Sequence, residues 1–234
     1  MITPESARAQ AIDFLTQQGL DRAFVENASI KIEDAQEIVN IVEAENPRKI
    51  LEIGTFVGVS SAVLGLCAPQ AEIVCIDADL PAIAQNMLCL RQFDVRDRRT
   101  NLDFVSQVIA HLGIAERFTL HRGFFSCCFP EEEDRNKLAV GEIEITESIV
   151  GQEICEQFGP FDMAFLDADH RKAAVYSDLK VLYPHVRPGG AIVLDDAGED
   201  FWGQQVKAAM REFLELHPEI PFEVRGDIGI IRRS

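Results

Sequence analysis

The chain has 234 residues, 39 of them acidic and 22 basic, for a net charge of −17, and 47% are hydrophobic. That charge opposes binding to nucleic acid or to an anionic membrane surface. The apolar share is enough for one sizeable core, so a single α/β domain over residues 1–234 is expected. No apolar run approaches a bilayer span. The opening MITPESARAQAIDFL mixes Glu5, Arg8 and Asp13 into its apolar residues, unlike a signal peptide, and a cytoplasmic location is expected.

In chain order, Thr3-Pro4 opens a helix with Ala7, Ala11, Phe14 and Leu15 on one face. A second helix starts near Glu33, with Ala35, Ile38, Val39 and Val42 at helical spacing, and ENP at 45–47 stops it. These N-terminal helices fill residues 1–46. Five short apolar runs then read as strands: KILEIG (49–54), EIVCID (72–77), FTLHRG (118–123), MAFLDA (163–168) and GAIVLDD (190–196). Helical segments at 58–67, 101–112 and 171–183 lie between them. Runs apolar on both faces suit parallel strands covered by helices. PFEVRG and DIGIIRR meet tightly at Gly226-Asp227, a hairpin signal. The expected fold is a Rossmann-like, seven-stranded, mostly parallel sheet with helices on both faces and a C-terminal antiparallel hairpin. Two connections, 80–101 and 124–160, are too long for this plan and read as inserts that cover a site or build an interface. Arg96, Arg98 and Arg99 form a compact basic run, but Asp94 and Asp97 flank and interrupt it, so it reads as a solvated loop. Cys67, Cys75, Cys89, Cys127, Cys128 and Cys155 include no Cys-x-x-Cys pair and read as reduced core thiols.

Three motifs carry chemistry. EIGTFVGVSS (52–61) leaves the first strand and opens a helix. Gly54 and Gly58 allow close backbone approach to a ligand, and the helix N-terminus offers free N–H groups near Ser60. The spacing is not Gly-x-Gly-x-x-Gly, which disfavours a pyrophosphate cradle and hence an NAD dehydrogenase. Glu52 would repel phosphate but suit a positive amino group. Asp77, closing the second strand, can hold a ribose diol. An adenosine ligand that carries an amine and no phosphates is S-adenosylmethionine. Third, FLDADH and VLDD place Asp167, Asp195 and Asp196 at the ends of strands expected to be neighbours. Unit charges about 4 Å apart repel by roughly 4 kcal/mol at an effective dielectric of 20. A hard divalent cation, magnesium or else calcium, offsets that; so do helix caps or pairing with Arg171 and Lys172.

From about residue 30 onward, apart from the inserts, the chain resembles the metal-dependent O-methyltransferases of the catechol and caffeoyl-CoA type. IKIEDAQEIV is similar to that family's pre-motif helix, LEIGTFVGVSS to its adenosylmethionine loop and FLDADH to its Asp-Ala-Asp-Lys. GGAIVLDD resembles its Gly-Gly-x-x-x-x-Asp-Asn, and GDIGIIRR its closing strand. The resemblance implies that Glu52, Gly54, Phe56 and Ser60 hold the methionine part of the donor and Asp77 its ribose. It implies a cation on Asp167, Asp195 and Asp196, with Asp167 counted among the cofactor residues as well. His170 falls where the family has a lysine base, and Asp196 where it has Asn. The Asp-Asp form looks like the sugar O-methyltransferases of macrolide and aminocoumarin pathways, in which an Asp at the place of Asp169 is a proposed base. His170 and Asp169 are therefore rivals. The expected acceptor is a small molecule with adjacent hydroxyls. Homodimerisation is an implication of the resemblance alone. A metal-independent methyltransferase, or a non-catalytic nucleotide-binding protein on the same fold, is the alternative; the latter predicts that the three carboxylates stand too far apart to share an ion.

Overall fold

The computed structural model describes residues 2–88, 93–127, 136, 138, 143 and 148–234. Cys89, Cys128 and most of the acidic stretch at 131–147 lie outside the described residues.

Helix α1 (Pro4–Gln17) starts as the Thr3-Pro4 pair predicts, with Thr3 Oγ1 accepting from the Ser6 amide. Helix α2 (Arg22–Ala28), absent from the sequence expectation, is only seven residues long, and its N-cap Asp21 accepts from the Phe24 amide. Helix α3 (Ile32–Glu45) ends on Asn46 in a left-handed conformation, which asparagine tolerates better than most residues. Then follow β1 (Lys49–Ile53), α4 (Val59–Cys67), β2 (Glu72–Asp77), α5 (Ala82–Leu88), α6 (Asn101–His111), β3 (Phe118–Arg122), α7 (Gly151–Phe158), β4 (Phe161–Leu166), α8 (Lys172–Leu182), β5 (Val186–Leu194), α9 (Phe201–Glu215), β6 (Phe222–Arg225) and β7 (Ile228–Arg232).

The seven strands lie in the order β3-β2-β1-β4-β5-β7-β6. The first five are parallel, and β7 runs antiparallel to both β5 and β6. Alternation along the buried strands divides the core in two. Ile50, Cys75, Met163, Phe165 and Val193 face α1, α3, α4 and α6. Leu51, Val74, Ala164, Ile192 and Leu194 face α7, α8 and α9.

Two boundaries differ from expectation in a useful way. β4 ends at Leu166 and β5 at Leu194, so Asp167, Asp195 and Asp196 all lie just past their strands. The second long connection is also less foreign than it reads. Its end is α7, an ordinary covering helix that buries Ile154 and Cys155. The first, 80–101, contains α5 and is pinned at its base by a bridge between Pro81 and Thr100. Its basic run is not simply solvated. Arg99 pairs with Asp97, donates to the Gln18 carbonyl and lies 4.5 Å over the Phe104 ring. Among the described residues Cys67, Cys75, Cys127 and Cys155 are free thiols, and no helix is long and apolar enough to cross a membrane.

Candidate active site

In an open α/β sheet, ligands bind beyond the carboxyl ends of the strands where the strand order reverses. Here that place lies between β1 and β4. Inter-strand bonds continue past the strand ends and set the height of each functional group. The Gly54 amide donates to the Ile76 carbonyl, Asp167 to Ile53, Asp195 to Leu166 and Gly123 to Asp77, all at 2.8–2.9 Å. Above them opens a cavity of about 550 Å³. Gly54, Phe56, Asp77, Ala78 and Leu80 line it, and so do Asp167, Asp169, His170 and Trp202. Ala28 of α2, Arg171 and the rim Gly123–Phe125 with Cys127 also line it.

The structure brings six of the expected residues to this cavity: Gly54, Phe56, Asp77, Asp167, Asp169 and His170. Gly54 has φ +84°, and a Cβ there would run into the Asp167–Ala168 backbone, so only glycine permits this crossing. Phe56 is held at φ 45°, unusual for a bulky residue. Its ring packs edge-to-face on Phe24 of α2 at 5.3 Å, and Phe24 in turn meets Phe93. Asp77 organises the loop as well as facing the cavity. Its Oδ2 accepts from the Thr55 and Phe56 amides and the Thr55 hydroxyl, and its Oδ1 from the Asp79 amide and Asn101. Burial raises its pKa in spite of those donors. Asp79 accepts from the Leu102 amide in the first turn of α6.

Glu52 and Ser60 correct the expectation. Glu52 is fully buried, and its oxygens accept from the hydroxyls of Ser60 and Ser61, each at 2.6 Å, and from the Cys75 thiol. Strand alternation explains this: Glu52 points under the loop, toward α4, and does not reach the cavity. Gly58 packs its Cα face against Val105 of α6. This trio fastens the loop to α4 from below. Burial pushes the Glu52 carboxyl up from 4.5 to about 7, against the hydrogen bonds that favour its charge. A folded pKa above the unfolded one means stability present below pH 4.5 and lost as pH rises through 7, on the order of 3 kcal/mol. Glu52→Gln is therefore expected to close on the wild type in acid and to gain on it as pH rises. Urea unfolding of both proteins at pH 4.5 and pH 8 checks this; a difference that does not change with pH refutes it.

At the other end, His170 stands between two carboxylates, its Nε2 3.3 Å from Asp167 Oδ1 and its Nδ1 3.1 Å from Asp196 Oδ2. Burial alone would lower its pKa; the two carboxylates outweigh that and hold it up to about 10. Asp196 is lowered, first by its bond to His170. Its backbone is left-handed, φ 53°, a conformation Asp and Asn bear more easily than most. Asp195 is buried, and among the described residues its Oδ1 has no hydrogen-bond partner. Burial, then the charges of Asp167 and Asp196, push it well above the carboxylate range. The expected open three-carboxylate cage is thus not what the structure presents. Among the described residues no three acidic, cysteine or histidine side chains are grouped closely enough to hold a metal ion as they stand, and the His170 imidazole sits between Asp167 and Asp196. Asp169 turns to Arg171, accepting from its amide and its guanidinium.

One contributor escaped the sequence reading. Lys31, just before α3, bonds Asp227 at 2.8 Å and lies 3.5 Å from Asp196 and 4.0 Å from Asp34. Its main partner is 196 residues away, so no local pattern announces it. Trp202, whose ring centroid lies 6.5 Å from that of His170, did carry a signal as the sole tryptophan.

The parallel sheet, the crevice at its switch point and the glycine loop define a Rossmann-like fold. A family model described as a methyltransferase domain matches residues 51–197, more than half of the chain, and the protein belongs to that family. A 49-residue stretch is 41% identical to the mycinamicin VI 2''-O-methyltransferase of Micromonospora griseorubida, covering 21% of this chain and 12% of that protein. The chain thus matches only a small part of the length of its curated relatives. Among solved structures, the O-methyltransferase from Bacillus cereus in complex with S-adenosylhomocysteine superposes with a TM-score of 0.61 at 16% identity, over 97% of this chain and 91% of that one. The MycE methyltransferase of the mycinamicin pathway, in complex with Mg and S-adenosylhomocysteine, gives 0.51 at 18% identity, over 85% and 48%. At these identities the superpositions establish the fold.

Proposed function

We propose that this protein transfers a methyl group from S-adenosylmethionine to a hydroxyl of a small molecule that carries adjacent hydroxyls. The observation that carries the reading is the single cavity joining the Gly54–Asp77 loop to Asp167 and His170. The family supplies the chemistry class, and two similar proteins bear the demethylated cofactor. Gly54, Phe56 and Asp77 would hold the methionine and ribose parts, and Ala78 and Leu80 offer apolar surface to the base. Glu52, Gly58 and Ser60 support the loop from beneath.

The carboxylates fit a divalent cation by charge. Even with His170 in place, Asp195 keeps an unsatisfied buried oxygen and a strongly raised pKa. With the His170 imidazole withdrawn from between Asp167 and Asp196, these two and Asp195 would hold magnesium or calcium, which would orient two adjacent oxygens and acidify one of them. Of the two rivals for the acceptor's proton, Asp169 is committed to Arg171. His170 lines the cavity, and we assign it the proton: as the chain stands Asp167 and Asp196 hold the imidazole protonated, and a cation on those two carboxylates would free a ring nitrogen to act as the base. Holding acceptor oxygen and methyl group in one cavity supplies much of the remaining acceleration. The same proposal has the enzyme act in the cytoplasm, alone or as a homodimer.

Calorimetry is expected to show S-adenosylhomocysteine binding with one site per chain. Labelled methyl transfer to a panel of catechols, flavonoids and sugars is expected to fall at least tenfold on chelation and to return with magnesium. Absence of cofactor binding would sink the function; transfer indifferent to chelation would remove the cation alone.

A further inference from the structure

Helix α8 carries an aspartate in its middle, Asp178, that is buried on the side facing the site. Aspartate is a poor choice for a helix interior, and a buried carboxylate is costly without a partner. Its partner is Ser126, whose hydroxyl donates to Asp178 Oδ1. Ser126 belongs to the rim of the large cavity, between the wall residues Phe125 and Cys127. The start of that rim is tied by backbone bonds, Gly123 to Asp77, and Val150 and Gly151 to Phe124 and Phe125. Its continuation at Ser126 and Cys127 leaves those ladders and meets α8 through Asp178. On its other side Asp178 looks across a water-sized cavity, about 10 Å³, at Asp169, His170 and Asp195. One side chain therefore touches the rim and adjoins the acid cluster.

We infer that Asp178 is a positioning residue, a strut that fixes the Ser126–Cys127 part of the rim at a set distance from Asp169 and His170 and so sets the width of the acceptor end of the cavity. The acceptor part of this statement rests on the methyl-transfer reading; the strut itself does not. A strut needs an acceptor for the Ser126 hydroxyl and no negative charge. Burial pushes the Asp178 carboxyl up to about 7, which agrees with that, and makes an amide a close stand-in.

The test compares Asp178→Leu, Ser126→Ala and Asp178→Asn in the full chain saturated with S-adenosylhomocysteine. Hydrogen exchange at the amides of residues 125–127 is expected to rise at least tenfold in Asp178→Leu and Ser126→Ala, and to stay within twofold of the wild type in Asp178→Asn. The cofactor Kd is expected to stay within about twofold throughout. With catechol as the probe acceptor, KM is expected to rise at least tenfold in the first two variants while kcat changes less than threefold. Unchanged exchange in Asp178→Leu overturns the strut, and so does an Asp178→Asn variant as loosened as Asp178→Leu. Loss of cofactor binding by the wild type would overturn the methyl-transfer reading and leave the exchange result to judge the strut. If Asp178→Leu fails to fold, Ser126→Ala against Asp178→Asn carries the same comparison.

Discussion

Alanine at His170 is expected to lower kcat by about 10²–10⁴-fold, the range of a general base, while S-adenosylhomocysteine still binds within a few-fold of the wild type. Asn at Asp169 is expected to cost less than tenfold. The difference follows from what each side chain already holds. Both oxygens of Asp169 accept from Arg171, so its lone pairs are spent on shaping the turn into α8. His170 is held only by Asp167 and Asp196, at the edge of the cavity and beside Trp202, and a cation on those carboxylates would release its ring nitrogens for the proton, whereas nothing at the site would release Asp169 from Arg171. Steady-state kinetics on the best acceptor of the panel, with calorimetry for the cofactor, separates the two. Equal losses in both variants, or a larger one for Asp169→Asn, would hand the proton to Asp169.

The second large effect is on the fold. Gly54→Ala is expected to destabilise by about 3–5 kcal/mol, part from the left-handed backbone and part from overpacking. The new Cβ would lie 2.6 Å from the Asp167 carbonyl carbon and 2.8 Å from the Ala168 Cα, and neither is a flexible side chain that can turn away. Gly113→Ala is the matched control. It too has positive φ, +69°, but a Cβ there meets nothing within 4 Å, so about 1–2 kcal/mol is expected. Urea unfolding measures both. A Gly54 variant no worse than the Gly113 one would mean that the β1 loop and the β4 end are less tightly opposed than the structure has them. Cofactor binding should fall with Gly54→Ala and survive Gly113→Ala, because only the first displaces Asp167.

Much of this was legible before any coordinates. Short apolar runs ending in Gly or Asp, spaced by helices, announce a parallel sheet with its chemistry at one edge, and Gly226-Asp227 announces the hairpin. Asp167, Asp169 and His170 declared themselves by being ionisable at the end of an apolar run. Three things were not legible. Glu52 was read as a ligand residue because motif spacing says which strand end carries it, while alternation decides which way it points; its neighbours Ser60 and Ser61 then absorb it. The filling of the gap between Asp167 and Asp196 by His170 depends on a rotamer, which sequence spacing does not specify. Lys31 and Asp178 were missed because their partners, Asp227 and Ser126, lie far along the chain, and long-range pairs leave no periodic trace.

Lys31 also has a consequence for the order of events in synthesis. The cofactor loop, β1 and β2 all emerge early, yet the ammonium that steadies Asp196 finds its firmest partner only when Asp227 has been made, 196 residues later. At about 5–20 residues per second that is a wait of roughly 10–40 s. Only over the last 31 residues of it, from Asp196 to Asp227, does the acid-rich edge exist while Lys31 lacks that anchor, and over the same stretch β5 lacks β7 at its side. A ribosome-bound chain arrested before the hairpin would carry all the carboxylates of the site with Lys31 not yet anchored by Asp227.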